Sequence, residues 1–175
     1  MNIDELNHAW QLAEAAHRGQ YYGYDADQIP YVYHLGNVLL EARNAVEHTP
    51  GCPARVVLLA AILHDTLEDT DLTSDAVKTA FGPAVLTAVQ ALTKNEALPK
   101  AEQMPDSLAR IRAAGPAAAM VKLCDRIANL SRRPPGHWDA EWKAAYREEA
   151  RMILRELGAS SEYLAARLAA KIDAY

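Results

Sequence analysis

The stretch "VVLLAAILHDTLEDT", which runs from Val56 to Thr70, decides the fold of this chain. An unbroken apolar run opens it, and one imidazole and three carboxylates follow within six residues. A helix that is apolar on every side is typical of the middle of a core. We therefore predict a buried helix over Ala54–Asp69 that ends in a cluster of ionisable side chains.

The composition of the whole chain favours helices over sheets. Half of its 175 residues are apolar, yet only one is Phe, and Ala and Leu dominate. Ala and Leu are strong helix formers, whereas strands are enriched in β-branched and aromatic residues. A chain of this length can bury a core without disulfides or a structural metal. We predict a single all-α domain over residues 1–175, folded as a helical bundle.

Helical spacing and breaking residues divide the chain into segments. Asp4 is the expected N-cap of the first helix, and Thr73 or Ser74 is expected to cap a short helix that ends at "FGP". Residues 94–106 contain two prolines and are expected to form a polar connection. We find no alternating strand pattern. The other predicted helices lie at Asp4–His17, Val32–His48, Ala54–Asp69, Pro83–Lys94, Ser107–Ala114, Ala117–Leu130, Ala140–Leu157 and Ser161–Ile172.

Charge and hydropathy exclude two classes of partner. The formal net charge is −5, whereas a nucleic-acid-binding protein needs a basic face to release counterions from phosphates. The longest apolar run, Val56–Leu63, is too short to span a bilayer, and the opening residues lack the pattern of a secretory signal. We therefore expect a cytoplasmic protein that binds neither nucleic acid nor membranes, as a monomer or a homodimer.

The ionisable cluster has the spacing of a helical face. Positions four apart share a face of a helix, so His64 is expected beneath Glu68, and Asp65 beneath Asp69 in the adjoining stripe. His64 and Asp65 enter at the edge of the core, where an unpaired charge is expensive. A divalent cation satisfies neutral imidazole and ionised carboxylate together. The alternative is a hydrogen-bonded core histidine followed by solvated acids.

Two further polar residues interrupt apolar segments. His34 lies near the start of a predicted helix, and Asp125 lies inside "AAAMVKLCDRIANL". His34 could instead donate to a backbone carbonyl, and Asp125 could pair with Lys122 or Arg126. Taken together with His64 and Asp65, they offer two imidazoles and two carboxylates from three helices. Such a nitrogen and oxygen ligand set fits manganese, ferrous iron, cobalt or zinc, and the spacing does not choose among them.

These residues resemble the HD-domain superfamily, and within it the hydrolase domain of RelA/SpoT proteins and the stand-alone small alarmone hydrolases. Three segments carry the resemblance in order along most of the chain. They are "AAHRGQ" with "PYVYH", then "LLAAILHDTLEDT" with "FGPAVLTAVQALTK", and finally "VKLCDRIANL".

The resemblance implies a role for each member of the cluster. The implied metal ligands are His34, His64, Asp65 and Asp125, held between helices, with manganese as the usual ion. Glu68 and Asp69 are the implied catalytic acidic pair, and which acid does which job stays open.

The resemblance also implies contacts with a purine nucleotide substrate. Asn129 matches a nucleotide contact, and Tyr146 matches a tyrosine near the nucleotide or is an ordinary tyrosine of an amphipathic helix. The cations near Asp125 in sequence would bind phosphate or serve the structure: Lys122, Arg126, Arg132 and Arg133.

The implied reaction removes pyrophosphate from the ribose 3′ position of guanosine tetra- or pentaphosphate, (p)ppGpp. A bound cation acidifies water and stabilises the charge that develops on phosphorus, while one of the two acids orients that water or accepts its proton. Another HD nucleotide phosphohydrolase, of the 5′-nucleotidase type, is one alternative. A regulatory module that binds a nucleotide without turnover is the other.

The chain departs from the family after "HRGQ", where members usually carry an Arg-Lys pair. Three tyrosines stand nearby instead, and Tyr21, Tyr22 or Tyr24 could stack on a purine. Stacking tolerates any base, so we expect the adenosine analogue (p)ppApp as a substrate beside the guanosine alarmone.

Overall fold

Helices form nearly all of the regular structure. The computed structural model describes residues 2–22 and 29–175, and the all-α prediction is confirmed there apart from one two-residue strand pair. The elements are α1 (Ile3–Ala16), β1 (Tyr21–Tyr22), β2 (Ile29–Pro30), α2 (Val32–His48), α3 (Ala54–Leu63), α4 (Thr66–Asp69), α5 (Ser74–Phe81), α6 (Pro83–Leu92), α7 (Lys100–Ala114), α8 (Pro116–Leu130), α9 (Ala140–Leu157), a 3-10 turn (Gly158–Ser160) and α10 (Glu162–Ala174).

Helices α3 and α8 occupy the centre of the bundle. Both contact α2 and α6 as well as each other, and α8 also packs against α7, α9 and α10. The apolar run Val57–Leu63 is fully buried, as its composition predicts. Helix α8 begins with Pro116 directly after Gly115, whose φ of 97° favours glycine. Ala118 in α8 is fully buried.

The helix predicted over Ala54–Asp69 is wrong in one respect, because it is two helices. Helix α3 ends at Leu63, and the short helix α4 starts at Thr66. The Thr66 hydroxyl donates to the Leu63 carbonyl at 2.7 Å and so competes with the regular backbone pattern. The interruption places His64 and Asp65 at the junction of the two helices, beside the core.

The chain before α2 also differs from the prediction. Asn2, and not Asp4, is the N-cap of α1, since its side chain accepts from the Asp4 N–H at 3.0 Å. Strands β1 and β2 pair in antiparallel fashion, with Tyr22 opposite Ile29. Strands of two residues are too short to show an alternating pattern in sequence.

Two further boundaries differ. Helix α6 ends at Leu92, not Lys94, and Thr93 leaves the helix with an extended backbone. Helix α7 begins at Lys100, well before the predicted Ser107, and contains Pro105. The proline forfeits one backbone hydrogen bond, but the helix continues because tertiary packing outweighs local propensity. The other predicted helices are confirmed to within two residues at each end.

No helix in residues 2–22 and 29–175 combines the length and the apolar character that crossing a membrane requires.

Truncation of a central side chain tests the importance of α3. Leu59 in α3 is fully buried, whereas Leu40 on the outer face of α2 is 68% exposed. We expect Leu59→Ala to lower the free energy of unfolding by about 2–5 kcal/mol, because it leaves a cavity in the core. The matched control Leu40→Ala should change it by less than about 0.5 kcal/mol. Urea denaturation monitored by circular dichroism measures both, and equal losses would contradict the assigned core.

Candidate metal centre and active site

A cavity of about 740 Å³ opens where α2, α3, α4 and α8 meet the start of α9. His64 and Asp65 reach it from the junction of α3 and α4, His34 from the first turn of α2, and Asp125 from the middle of α8. Its walls also carry six cations: Lys94, Lys100, Lys122, Arg126, Arg132 and Arg133.

The two imidazoles and two carboxylates converge at the floor of this cavity. His34 Nε2 lies 3.2 Å from His64 Nε2, and Asp65 Oδ2 lies 2.9 Å from His64 Nε2 and 3.4 Å from His34 Nε2. Asp125 Oδ1 is 3.5 Å from His34 Nε2. Single ligand atoms of His34, His64 and Asp125 all lie within 4.8 Å of one another. The three helices therefore bring the predicted ligands together.

Electrostatic interactions in this cluster are strong because the groups are buried. Burial works against protonation of His64, but the Asp65 and Asp125 carboxylates and the Ala61 carbonyl together outweigh it and raise the pKa of His64 to about 9. Burial would raise the pKa of Asp65, yet His64 and His34 together hold that pKa well below its usual range. Burial likewise opposes ionisation of Asp125, but the charges of Lys122, His34 and His64 together lower the pKa of Asp125 to about 2. Both carboxylates are thus ionised at neutral pH.

The donor atoms suit a divalent cation. The Nδ1 of His64 lies 2.9 Å from the Ala61 carbonyl, which only accepts, so this nitrogen carries a proton. In the neutral imidazole the lone pair is then on Nε2, the atom that faces His34 and Asp65. Histidine ligands of metals commonly use their second nitrogen in this way. Two imidazole nitrogens and two ionised carboxylates, without a thiolate, form a set typical of zinc or of manganese and iron.

Asp125 is held by both of its oxygens. Lys122 Nζ donates to Oδ2 at 3.1 Å, and Asn129 Nδ2 donates to Oδ1 at 2.6 Å. Asn129 Oδ1 in turn accepts from the Tyr22 hydroxyl at 2.6 Å. The sequence suggested Lys122 as either a phosphate contact or a partner of Asp125, and in the structure it contacts Asp125.

The acidic pair at the end of α4 has two different environments. Glu68 accepts the Lys94 backbone N–H at 2.8 Å and the Lys94 ammonium at 2.5 Å, so both of its oxygens are occupied. Asp69 Oδ2 lies 3.3 Å from the Tyr31 hydroxyl, which donates to Asp65 Oδ2 at 2.6 Å. Partial burial and repulsion from Asp65 and Glu68 raise the pKa of Asp69 above its ordinary value.

An aromatic wall faces the ionisable cluster. Trp138 and Trp142 stack with ring centroids 6.2 Å apart, and Tyr146 meets Trp138 edge-on at 5.1 Å. Arg126 is buried, pairs with Glu149, and lies 4.3 Å above the Tyr146 ring. Its Nε and Nη1 have no hydrogen-bond partner among the described residues.

The cavity contains every residue that the sequence suggested for the site within the described ranges. The ligands, the acidic pair, Asn129, Lys122, Arg126, Arg132, Tyr22 and Tyr146 all line it. Tyr21 and Arg133 also contact it, whereas Tyr24 lies outside the described residues. Their roles stay predictions.

Sequence reasoning missed several residues of the cavity. Tyr31 contacts both Asp65 and Asp69, and Lys94 binds Glu68. Both residues stand inside the motifs "PYVYH" and "LTK", so the motifs were visible although the contacts were not. Trp138, Trp142 and Tyr146 follow one another at intervals of four residues. This spacing was the feature of the sequence that could have predicted the aromatic wall.

Comparisons with known proteins agree with this geometry. A family model described as HD domain matches residues 9–160. The guanosine-3′,5′-bis(diphosphate) 3′-pyrophosphohydrolase MESH1 of Mus musculus is 34% identical over 165 residues, which is 89% of each chain. The Homo sapiens protein of that name has the same identity and coverage.

A solved structure has a similar fold. It belongs to a metazoan ortholog of SpoT that hydrolyses ppGpp and plays a role in starvation responses. The two chains superpose with a TM-score of 0.84 at 28% identity, over 97% of this chain and 94% of the other. A guanosine-3′,5′-bis(diphosphate) 3′-pyrophosphohydrolase of Aquifex aeolicus is 33% identical over 74% of this chain, but over only 18% of its own length.

The raised pKa of His64 predicts that metal binding releases a proton. At pH 7 the imidazole is protonated because its pKa is about 9, and a metal ligand must be deprotonated. We expect His64 to release about one proton per Mn²⁺ bound at pH 7 and progressively less as the pH rises through 9. Calorimetric titrations in buffers of different ionisation enthalpy measure this number. A heat of binding at pH 7 that does not depend on the buffer would contradict the prediction.

Proposed function

We propose that this chain, which belongs to the HD domain family, removes the 3′-pyrophosphate from purine alarmone nucleotides. The chain is a phosphohydrolase enzyme, and in this proposal residues 1–175 form one HD-type domain. The observation that carries the proposal is a single cavity with ligand atoms of His34, His64 and Asp125 within 4.8 Å of one another and an acidic pair beside them. Named 3′-pyrophosphohydrolases related over 89% of the chain support this choice of reaction.

The metal of this proposal is manganese, with His34, His64, Asp65 and Asp125 as its ligands. When bound, such a cation supplies a Lewis acid that lowers the pKa of water and neutralises charge on a phosphoryl group. Neighbouring groups already orient two of these ligand side chains. The Ala61 carbonyl orients His64, while Lys122 and Asn129 fix both oxygens of Asp125.

The contacts of the two acids support a division of labour. Glu68 has both oxygens bound to Lys94, so we assign it to holding the Lys94 ammonium at the cavity, where it can meet a phosphate. Asp69 has a raised pKa and an open carboxylate, so we assign it the proton of the attacking water. Once protonated, Asp69 can donate to the Tyr31 oxygen, whose own proton is directed to Asp65.

Substrate recognition in this proposal uses the opposite wall. Arg126, Arg132 and Lys100 line this wall and offer positive charge to the phosphates. Trp142, whose side chain is 56% exposed at the cavity, offers a stacking surface for a base. Stacking on aromatic rings tolerates any base, so we propose guanosine and adenosine 3′-pyrophosphates as substrates.

Loss of a ligand and loss of an acid should impair the reaction for different reasons. We expect Asp125→Ala to bind no Mn²⁺ and to release no pyrophosphate from ppGpp or ppApp, because a central carboxylate ligand is gone. We expect Asp69→Ala, which removes the proposed proton acceptor, to bind Mn²⁺ normally and to turn over about 10²–10⁴-fold more slowly. Calorimetry and a pyrophosphate release assay measure the two effects. Asp173→Ala, at an exposed position of α10, is the matched control and should match the unaltered protein.

The products decide between this reaction and its rivals. Release of orthophosphate instead of pyrophosphate would contradict the proposal and favour a 5′-nucleotidase type of activity. Nucleotide binding without any product would favour a regulatory module. Full activity in Asp125→Ala would show that the site is assigned wrongly.

A further inference from the structure

Tyr22 touches the metal centre from the segment where relatives are expected to carry a basic pair. Its ring stacks on the His34 ring with centroids 4.6 Å apart, and its hydroxyl donates to Asn129. The Arg132 guanidinium lies 4.3 Å from the Tyr22 ring. A purine stacked where either neighbour lies would have to displace it. Stacking on a base, the role suggested by the sequence, therefore does not account for the position of Tyr22.

The chemistry of the partners fixes the direction of the hydrogen bonds between Tyr22 and Asp125. The ionised Asp125 carboxylate only accepts, so the Asn129 atom that faces it at 2.6 Å must be the amide nitrogen. The amide oxygen then faces Tyr22 at 2.6 Å, and the tyrosine hydroxyl must donate to it. A tyrosine hydroxyl ordinarily keeps its proton at neutral pH, so it is available for this hydrogen bond.

These contacts give Asn129 a task other than nucleotide recognition. One N–H of its amide is committed to Asp125, and one lone pair of its oxygen to Tyr22. Asn129 is one helical turn after Asp125 on α8, so the pair is already neighbouring, and Tyr22 fixes the rotation of the amide from outside the helix. Strand pairing of Tyr22 with Ile29 holds the backbone behind the hydroxyl.

We propose that Tyr22 is a positioning residue of the metal centre, acting through Asn129 on Asp125 and by stacking on His34. It joins two ligands that come from different helices, α8 and α2. The inference rests on the proposed metal site, and it explains how a tyrosine serves where a basic pair is expected. Partners behind metal ligands typically raise affinity by about 10- to 100-fold.

A double-mutant cycle on Mn²⁺ affinity tests the inference without any use of catalysis. Tyr22→Phe keeps the ring on His34 and removes only the hydroxyl. We expect the Mn²⁺ dissociation constant to rise about 10-fold in Tyr22→Phe and at least as much in Asn129→Ala. The double variant should be no weaker than Asn129→Ala, because the hydroxyl acts only through the amide. Tyr33→Phe, whose side chain is 52% exposed on α2 and does not line the cavity, is the matched control and should bind normally.

Two results would overturn the inference. Unchanged Mn²⁺ affinity in Tyr22→Phe is the first, and a fall in the melting temperature of the metal-free variant beside it would indicate a purely structural hydroxyl. Multiplication of the two single effects in the double variant is the second. If the unaltered protein binds no Mn²⁺, the metal site and the inference fail together. If it binds Mn²⁺ with the expected cycle but releases no pyrophosphate, only the proposed function fails.

Discussion

The structure depends on the burial of two imidazoles and two carboxylates at the junction of α2, α3 and α8. Moving ionised groups out of water is costly unless each finds a partner of opposite charge or a hydrogen bond. Here Asp65 and Asp125 lie beside His34 and His64, and Lys122 supplies a further positive charge. A divalent cation at these atoms would satisfy both carboxylates and leave the imidazoles neutral. The cluster is therefore explained more fully as a ligand set than as a set of ion pairs.

The rest of the fold holds this cluster in place. Helices α3 and α8 are apolar and central, so the surrounding core holds their few polar residues in fixed positions. The interruption at His64 separates the buried helix α3 from α4, and α4 then presents Glu68 and Asp69 to the cavity. Around these, tyrosine hydroxyls act as orienting donors: Tyr31 binds Asp65, and Tyr22 binds Asn129.

The sequence predicted the parts of this arrangement that follow from local pattern or from motifs. The helical class, most helix boundaries and the convergence of His34, His64 and Asp125 belong to that group. The interruption before Thr66 was missed because a single hydroxyl contact with the Leu63 carbonyl decides it. Contacts between distant segments, such as that of Lys94 with Glu68, were missed because their partners lie 26 residues apart and only the folded chain brings them together.

Location of the metal tests the central claim most directly. Crystals of the protein grown with Mn²⁺ and measured near the manganese absorption edge would show the ion by its anomalous scattering. We predict one strong peak within about 2.0–2.4 Å of His34 Nε2, His64 Nε2 and one oxygen each of Asp65 and Asp125, at the usual metal to ligand distances. A strong peak at a different set of side chains, or none at this cluster in crystals with bound manganese elsewhere, would contradict it.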